Sequence, residues 1–234
     1  SGPNGASLAA YLALFSGGTD RNVESILRAT IPEVIGHSLL LAFAAGTLSF
    51  VIAMTLSWIL RKRTDRSGAL LSTLVQLPLG ISLVTVALGV RLLYVGFLPL
   101  PFLIVVTQAI ATLPLVYRIV ATETRRLRES YVEGARSLGA GTPRILREVV
   151  APLLRRGLLN AYAYALAMPF ADLTAVLTVG RGEIATFPVA IYRLIGFRSF
   201  DLALALSGLY LGICFLLFIW IDRTSFRRTN GGTP

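Results

Sequence analysis

Five long apolar runs separated by short polar stretches organise this chain: residues 34 to 60, 68 to 95, 99 to 121, 158 to 179 and 201 to 221. Each is close to the roughly 20 residues that a helix needs to cross a hydrocarbon layer of about 30 Å. The first ends on Arg61, Lys62 and Arg63, and its small residues Ala44, Ala45, Gly46 and Ser49 allow a neighbouring helix to approach closely. The second is interrupted by Leu77-Pro78-Leu79-Gly80, which predicts a short first piece and a longer second one. A break inside a membrane needs protein or water around the freed backbone groups. The third run starts near Pro101 and contains Pro114. The pattern predicts an all-α membrane protein with about five core transmembrane helices.

Composition agrees. Hydrophobic residues make up 55% of the 234 and charged residues 15%, with a mean hydropathy of +0.72; a soluble domain carries about 25% charged residues. A net charge of +10 on a soluble protein would point to nucleic acid. Here 16 of the 22 basic residues fall in three polar stretches, 61 to 66, 118 to 156 and 223 to 228. Membrane topology explains that clustering, and no nucleic-acid partner is expected. By the positive-inside rule these stretches and the C-terminus are cytoplasmic, while the turn 96 to 98 and the loop 180 to 200 lie outside. Trp58 and Trp220 then fall near cytoplasmic ends, as interface anchors do.

The resulting layout is an external N-terminal segment (1–33), a transmembrane domain (34–222) holding the polar loop 122–156, and a cytoplasmic tail (223–234). Ala6 to Phe15 is too short to span, and Asp20 to Arg28 reads as a surface helix started by Asp20. No signal-peptide pattern is visible, and the start at Ser1 reads as a fragment, a processed chain or the second half of a longer one. The loop Arg181 to Phe200 mixes Ile184, Phe187, Val189, Ile191, Tyr192, Leu194 and Ile195 with Arg193 and Arg198, as an external re-entrant or interfacial piece would. One cysteine, Cys214, and one histidine, His37, leave no material for an internal disulfide or a His/Cys metal site.

The polar stretch Tyr131 to Leu154 stands out between two apolar runs. Arg128 to Leu138 predicts a short helix ended by Gly139, a good C-terminal cap. Gly141 allows a turn, Thr142 supplies a hydroxyl N-cap and Pro143 a first helical position. Ile145, Leu146, Val149 and Val150 form one stripe of the second helix, and Pro152 can open the next span. On these grounds alone the segment is an interfacial linker on lipid headgroups or a surface that docks a protein.

The order of its residues is more specific. Glu133-Gly134-Ala135-x-x-x-Gly139, followed by Val149-Val150-Ala151-Pro152, closely resembles the EAA loop of binding-protein-dependent ABC importer permeases. Gly134 stands where that motif has its first alanine, Val149 where it has isoleucine, and Ala151 where it has leucine. The resemblance runs from about residue 35 to the end and implies the MetI-like permease fold, with the loop between the third and fourth core helices acting as the coupling helix. Glu133, Gly134, Ala135, Gly139, Val149 and Pro152 would then be the residues that couple the chain to an ATPase. Implied partners are ABC ATPase subunits, an external substrate-binding protein, a second permease half or subunit, and the lipid of a bacterial inner membrane.

Within that family the chain resembles permeases for ferric iron and thiamine. The string Thr186-Phe187-Pro188 to Tyr192, and Ala171-Asp172-Leu173-Thr174 where those permeases carry "GDFG" or "GEFG", support the likeness. The acid is kept and both glycines are lost. The implied solute is thiamine or ferric iron, with molybdate, tungstate or a polyamine as alternatives. A permease catalyses no bond chemistry, so no catalytic residue and no bound cofactor are expected. A P-loop needs a lysine before Ser or Thr; the one lysine lies in Arg61-Lys62-Arg63, so ATP is used by a separate subunit.

Asp172, with Pro169 and Thr174, is the candidate for the translocation path. A carboxylate about 14 residues into a span is costly unless it faces a cavity or a partner. Asp172 could instead cap a helix broken near Pro169, or pair with Arg91. Arg91 itself is expected to snorkel to the outer interface, His37 to sit at the outer end of the first helix, and Tyr164 and Met168 to pack. An intramembrane hydrolase would have only His37 and a serine such as Ser207 to work with, and no activated-serine motif. A passive channel or scaffold would have no use for the coupling loop.

Overall fold

A computed structural model describes residues 26–61, 66–126 and 129–226. The expected surface helix from Asp20 and the apolar stretch from Ala6 lie outside these residues, apart from a single turn at Ile26–Arg28.

The helices are α1 (Ile31–Leu60), α2 (Arg66–Gln76), a 3-10 turn (Leu77–Gly80), α3 (Leu83–Tyr94), α4 (Leu100–Arg126), α5 (Glu129–Ser137), α6 (Thr142–Ile145), α7 (Ala151–Phe170), α8 (Thr174–Gly180), α9 (Phe187–Gly196) and α10 (Phe200–Phe226). Among the described residues α1, α4 and α10 are each long and apolar enough to span alone. The pair of legs around Leu77–Gly80 bends by 98° and the pair α7 and α8 by 48°; counting each pair as one span gives five.

The apolar runs are therefore legible, with local departures. Helix α1 starts at Ile31 rather than Val34, because the Glu33 carboxylate reaches back to the Thr30 N–H at 2.8 Å and Pro32 suits a first turn. The two legs of the second run are of similar length, not short and long.

Helices α1, α4 and α7 pack against one another as the central bundle. Ala45, Gly46 and Ser49 are buried as expected, whereas Ala44 faces outward. Pro169 has no N–H to offer the Ala165 carbonyl. Gly46 lies against that carbonyl so closely that a Cβ at position 46 would collide with it. At the basic end of the bundle Ser57 and Thr124 share a buried hydrogen bond of 2.5 Å, and Gly157 leaves room for the Glu123 side chain. Thr47 and the Tyr162 hydroxyl bond at 3.0 Å between α1 and α7.

At the far end α9 is more than an interfacial piece. Phe187, Val189, Ala190 and Leu194 are fully buried, and the Phe187 N–H donates to Ser38 Oγ of α1 at 2.9 Å. The helix sits between α1 and α10, with Tyr192, Ile195 and Phe197 exposed. Arg193 donates to the Leu27 carbonyl at 2.5 Å and to the Gly182 carbonyl, tying the start of the described chain to the turn before α9. Tyr164 and Met168, expected to pack, are 59% and 42% exposed and so belong to the outer surface of this chain.

Candidate coupling segment and broken fourth span

The segment after α4 folds as a helix, a tight cap and a second helix. Gly139 has φ +80, the left-handed conformation that a side chain disfavours. Its N–H donates to the Arg136 carbonyl at 2.9 Å and the Ala140 N–H to the Ala135 carbonyl at 3.0 Å. These two bonds form a Schellman cap. The apolar contact that accompanies such caps is present as well: Ala135 and Ala140 pack on a small core of Ile145 and Leu154, with Trp58 and Val149 beside them. One motif thus ends α5 and docks it onto the foot of α7.

The motif residues divide by face. Ala135 and Val149 turn inward, while Glu133, Gly134, Gly139 and Pro152 are exposed. Two large apolar side chains share the outer surface, Tyr131 at 51% and Leu138 at 89% exposure. A Cβ on Gly134 would meet nothing within 4 Å. Alanine would fit there, so the glycine costs the helix up to ~1 kcal/mol without relieving any clash.

The second helix departs from expectation. The Gly141 carbonyl accepts the first helical bond, from Ile145 N at 3.0 Å, so Gly141 is the backbone cap and Thr142 already lies within the helix. Pro152 does not open a new helix. Leu146–Val150 form a π turn that leads straight into α7, making one continuous rod from Thr142 to Phe170. Pro152 has no N–H for the Glu148 carbonyl, and a wider turn just before it accommodates that loss. The exposed Arg144–Glu148 pair at 2.9 Å adds little.

The fourth span breaks at residues 171 to 173. Asp172 Oδ1 accepts from the Thr174 and Ala175 N–H groups at 2.9 and 3.3 Å, and Oδ2 from Ala175 N–H at 3.2 Å. The carboxylate therefore caps α8, at the helix end that favours negative charge. Gln108 of α4, which the sequence reading did not single out, donates its amide to Asp172 Oδ2 and to the Pro169 carbonyl, both at 3.2 Å. Arg91 does not pair with Asp172, and it is more than a snorkelling side chain: it donates to the Val179 carbonyl at the other end of α8. Phe170 stacks on Tyr210 at 5.3 Å and meets Phe187 edge-on at 6.0 Å, fastening the inner side of the break to α9 and α10.

The model of the binding-protein-dependent transport system inner membrane component family matches residues 45–230. The chain belongs to that family. It is similar to the thiamine transport system permease protein ThiP of Escherichia coli K12, at 29% identity over 94% of this chain and 42% of ThiP. It is also similar to the ferric transport system permease protein FbpB of Actinobacillus pleuropneumoniae, at 24% identity over 96% of this chain and 37% of that protein. The chain thus spans less than half the length of these relatives. Its fold matches the MetNI methionine ABC transporter in an inward-facing conformation, with TM-score 0.67 and 17% identity over 88% of this chain and 98% of the other. A bacterial alginate ABC transporter in complex with its alginate-loaded periplasmic protein matches with TM-score 0.66 and 15% identity, covering 96% and 89%. The MetI-like, all-helical permease fold expected from the sequence is thereby established, and the family is one of membrane transport components rather than ATPases.

Proposed function

We propose that this chain is the membrane-spanning unit of an ATP-driven importer, powered by a separate ATPase that docks on Tyr131 to Leu154. The observation that supports this reading most directly is the exposure of Tyr131 on α5 and of Leu138 just past its end, on a segment docked to the foot of α7. Exposed apolar side chains on a short rigid helix are anchors for a groove. The continuous rod from Thr142 to Phe170 offers a stiff path by which closure of the ATPase would reach the membrane. In this reading the basic end, with the C-terminus, faces the cytoplasm of a bacterial cell and the α9 end faces outward to an external binding protein.

A second permease unit completes the path. The Leu77–Gly80 turn and Ile81 and Ser82 lie in the middle of the second run and nearly all are exposed in the single chain. Free backbone groups at that depth need protein or water rather than lipid. By contrast α10 presents Leu211, Phe215 and Leu216 on an unbroken helix, which lipid can cover.

Thiamine and ferric iron are the leading solutes, since ThiP and FbpB are named for them; molybdate, tungstate or a polyamine would suit the same architecture. A hydrolytic reading has less support, because the Ser207 hydroxyl donates to the Ala203 carbonyl of its own helix at 2.7 Å. The test is reconstitution in vesicles with the ATPase and binding protein encoded alongside. Accumulation of labelled thiamine or iron that requires both ATP and the binding protein is expected. Equilibration without ATP would identify a passive channel instead.

A further inference from the structure

Gln108 is 2% exposed, at the heart of α4. Its neighbours Thr107 and Thr112 turn their hydroxyls back onto α4 carbonyls, at 2.8 and 2.7 Å. Gln108 alone of these three reaches across to another helix, and it does so to both sides of the break in the fourth span: the Pro169 carbonyl before it and the Asp172 carboxylate after it. Both partners are pure acceptors, so they fix which end of the amide faces them; a flipped amide would set oxygen against oxygen twice. Gln108 Oε1, turned the other way, is buried without a partner among the described residues, while the amide N–H donors point across the break.

Helix α8 is held at its other end too. Arg91 of α3 donates to the Val179 carbonyl, one of the final carbonyls that α8 cannot satisfy itself. This seven-residue helix carries a carboxylate at its start and a guanidinium at its end, and two different helices grip it.

We propose that Gln108 is the positioning residue of the fourth span: by bridging Pro169 and Asp172 it sets the 48° bend and holds α8 as one rigid piece at the far end of the path. Its effect on transport acts through Asp172 and α8 and requires no contact with solute. The part concerning transport rests on the importer reading above; the part concerning the bend does not.

The test pairs a distance with a coupling ratio. In a Cys214→Ser background, spin labels at Tyr164→Cys on α7 and Leu177→Cys on α8 report the bend in the full chain in lipid. The reconstituted assembly reports solute imported per ATP hydrolysed. With Gln108 present a single narrow distance is expected. Gln108→Leu should broaden that distribution and lower the ratio by about tenfold, the scale of one or two lost buried hydrogen bonds. Gln108→Glu should do the same, since it sets a carboxylate against the Asp172 carboxylate and the Pro169 carbonyl. Exchanging the polarity in Gln108→Glu with Asp172→Asn restores a donor and acceptor pair between positions 108 and 172, while a carboxylate still faces the Pro169 carbonyl, so it should recover part of the distance readout. A general packing role gives no such recovery. Wild-type values in Gln108→Leu, or an exchange whose distance distribution is no narrower than that of Gln108→Glu alone, would overturn the proposal. An unsubstituted assembly that fails to pump would count against the importer reading, while the distances would still decide the role of Gln108.

Discussion

A Gly139→Val chain should insert into the membrane and keep its helices, but in the proposed importer hydrolysis of ATP by the partner should no longer drive uptake. The physical reason is local. Position 139 has φ +80, and both Schellman bonds that end α5 depend on it. A side chain in that conformation costs about 1–2 kcal/mol, and a β-branched one sits at the upper end. A shift of ~2 kcal/mol changes the population of the capped conformation about 30-fold. Among the described residues Ala135 and Ala140 join α5 to the α7 foot, so the loss should disorder the docking helix before it unfolds the bundle. Gly139→Asn, which tolerates the left-handed conformation, should retain most of the coupling. The measurement is ATP hydrolysis and uptake side by side in vesicles. Equal coupling in the glycine, valine and asparagine forms would show that the cap is irrelevant to transmission.

Asp172→Ala should have the second large effect, and on stability as much as transport. It strips two backbone N–H groups of α8 and one Gln108 donor of their shared acceptor. Each buried group left unpaired costs about 1–3 kcal/mol, less where water can enter. A clear fall in melting temperature in detergent is expected, together with loss of most uptake. Asp172→Asn separates the roles of this residue. An asparagine oxygen still caps α8, but its amide nitrogen then faces the Gln108 donor, so a smaller fall in melting temperature than in Asp172→Ala is expected, while the charge is gone. Uptake abolished in an Asp172→Asn chain that melts well above Asp172→Ala would assign the carboxylate to solute recognition; uptake that falls only in step with stability would assign it to the cap.

How much of this was legible in the sequence depends on the kind of signal. Apolar runs report spans because the bilayer demands about 20 residues per crossing, and α1, α4 and α10 follow them closely. Gly139 was legible because only a left-handed position ends a polar helix that way. Pro152 was misleading: a proline after a charged stretch reads as a helix start, yet a π turn lets one rod run through it. Helix α9 was hidden because it is only ten residues long and sits in a loop that also carries Arg181, Arg193 and Arg198. Its burial depends on Ser38, 149 residues away in the chain, as well as on the adjacent α10.

Gln108 escaped notice because one uncharged amide barely interrupts the apolar run from Pro99. The signal that would have found it is that a polar side chain deep in a span needs a partner, and the nearest unexplained candidate was Asp172. Arg91 was misjudged on the opposite ground. A long basic side chain near a helix end can snorkel, but the last carbonyls of α8 offered a nearer acceptor. In both cases the missing information was which ends of α8 lacked caps, and that follows from the break rather than from local sequence.

In the proposed importer the exposed face of the α5 segment meets an ATPase. Leu138, at 89% exposure beside the Gly139 cap, is the position to label. A Leu138→Cys chain in a Cys214→Ser background, assembled with its ATPase carrying single cysteines along its membrane-facing groove, is oxidised with and without ATP. One strong disulfide between position 138 and the groove is expected, with Leu216→Cys, exposed on α10, giving none. No cross-link from position 138 in an assembly that imports solute would contradict it.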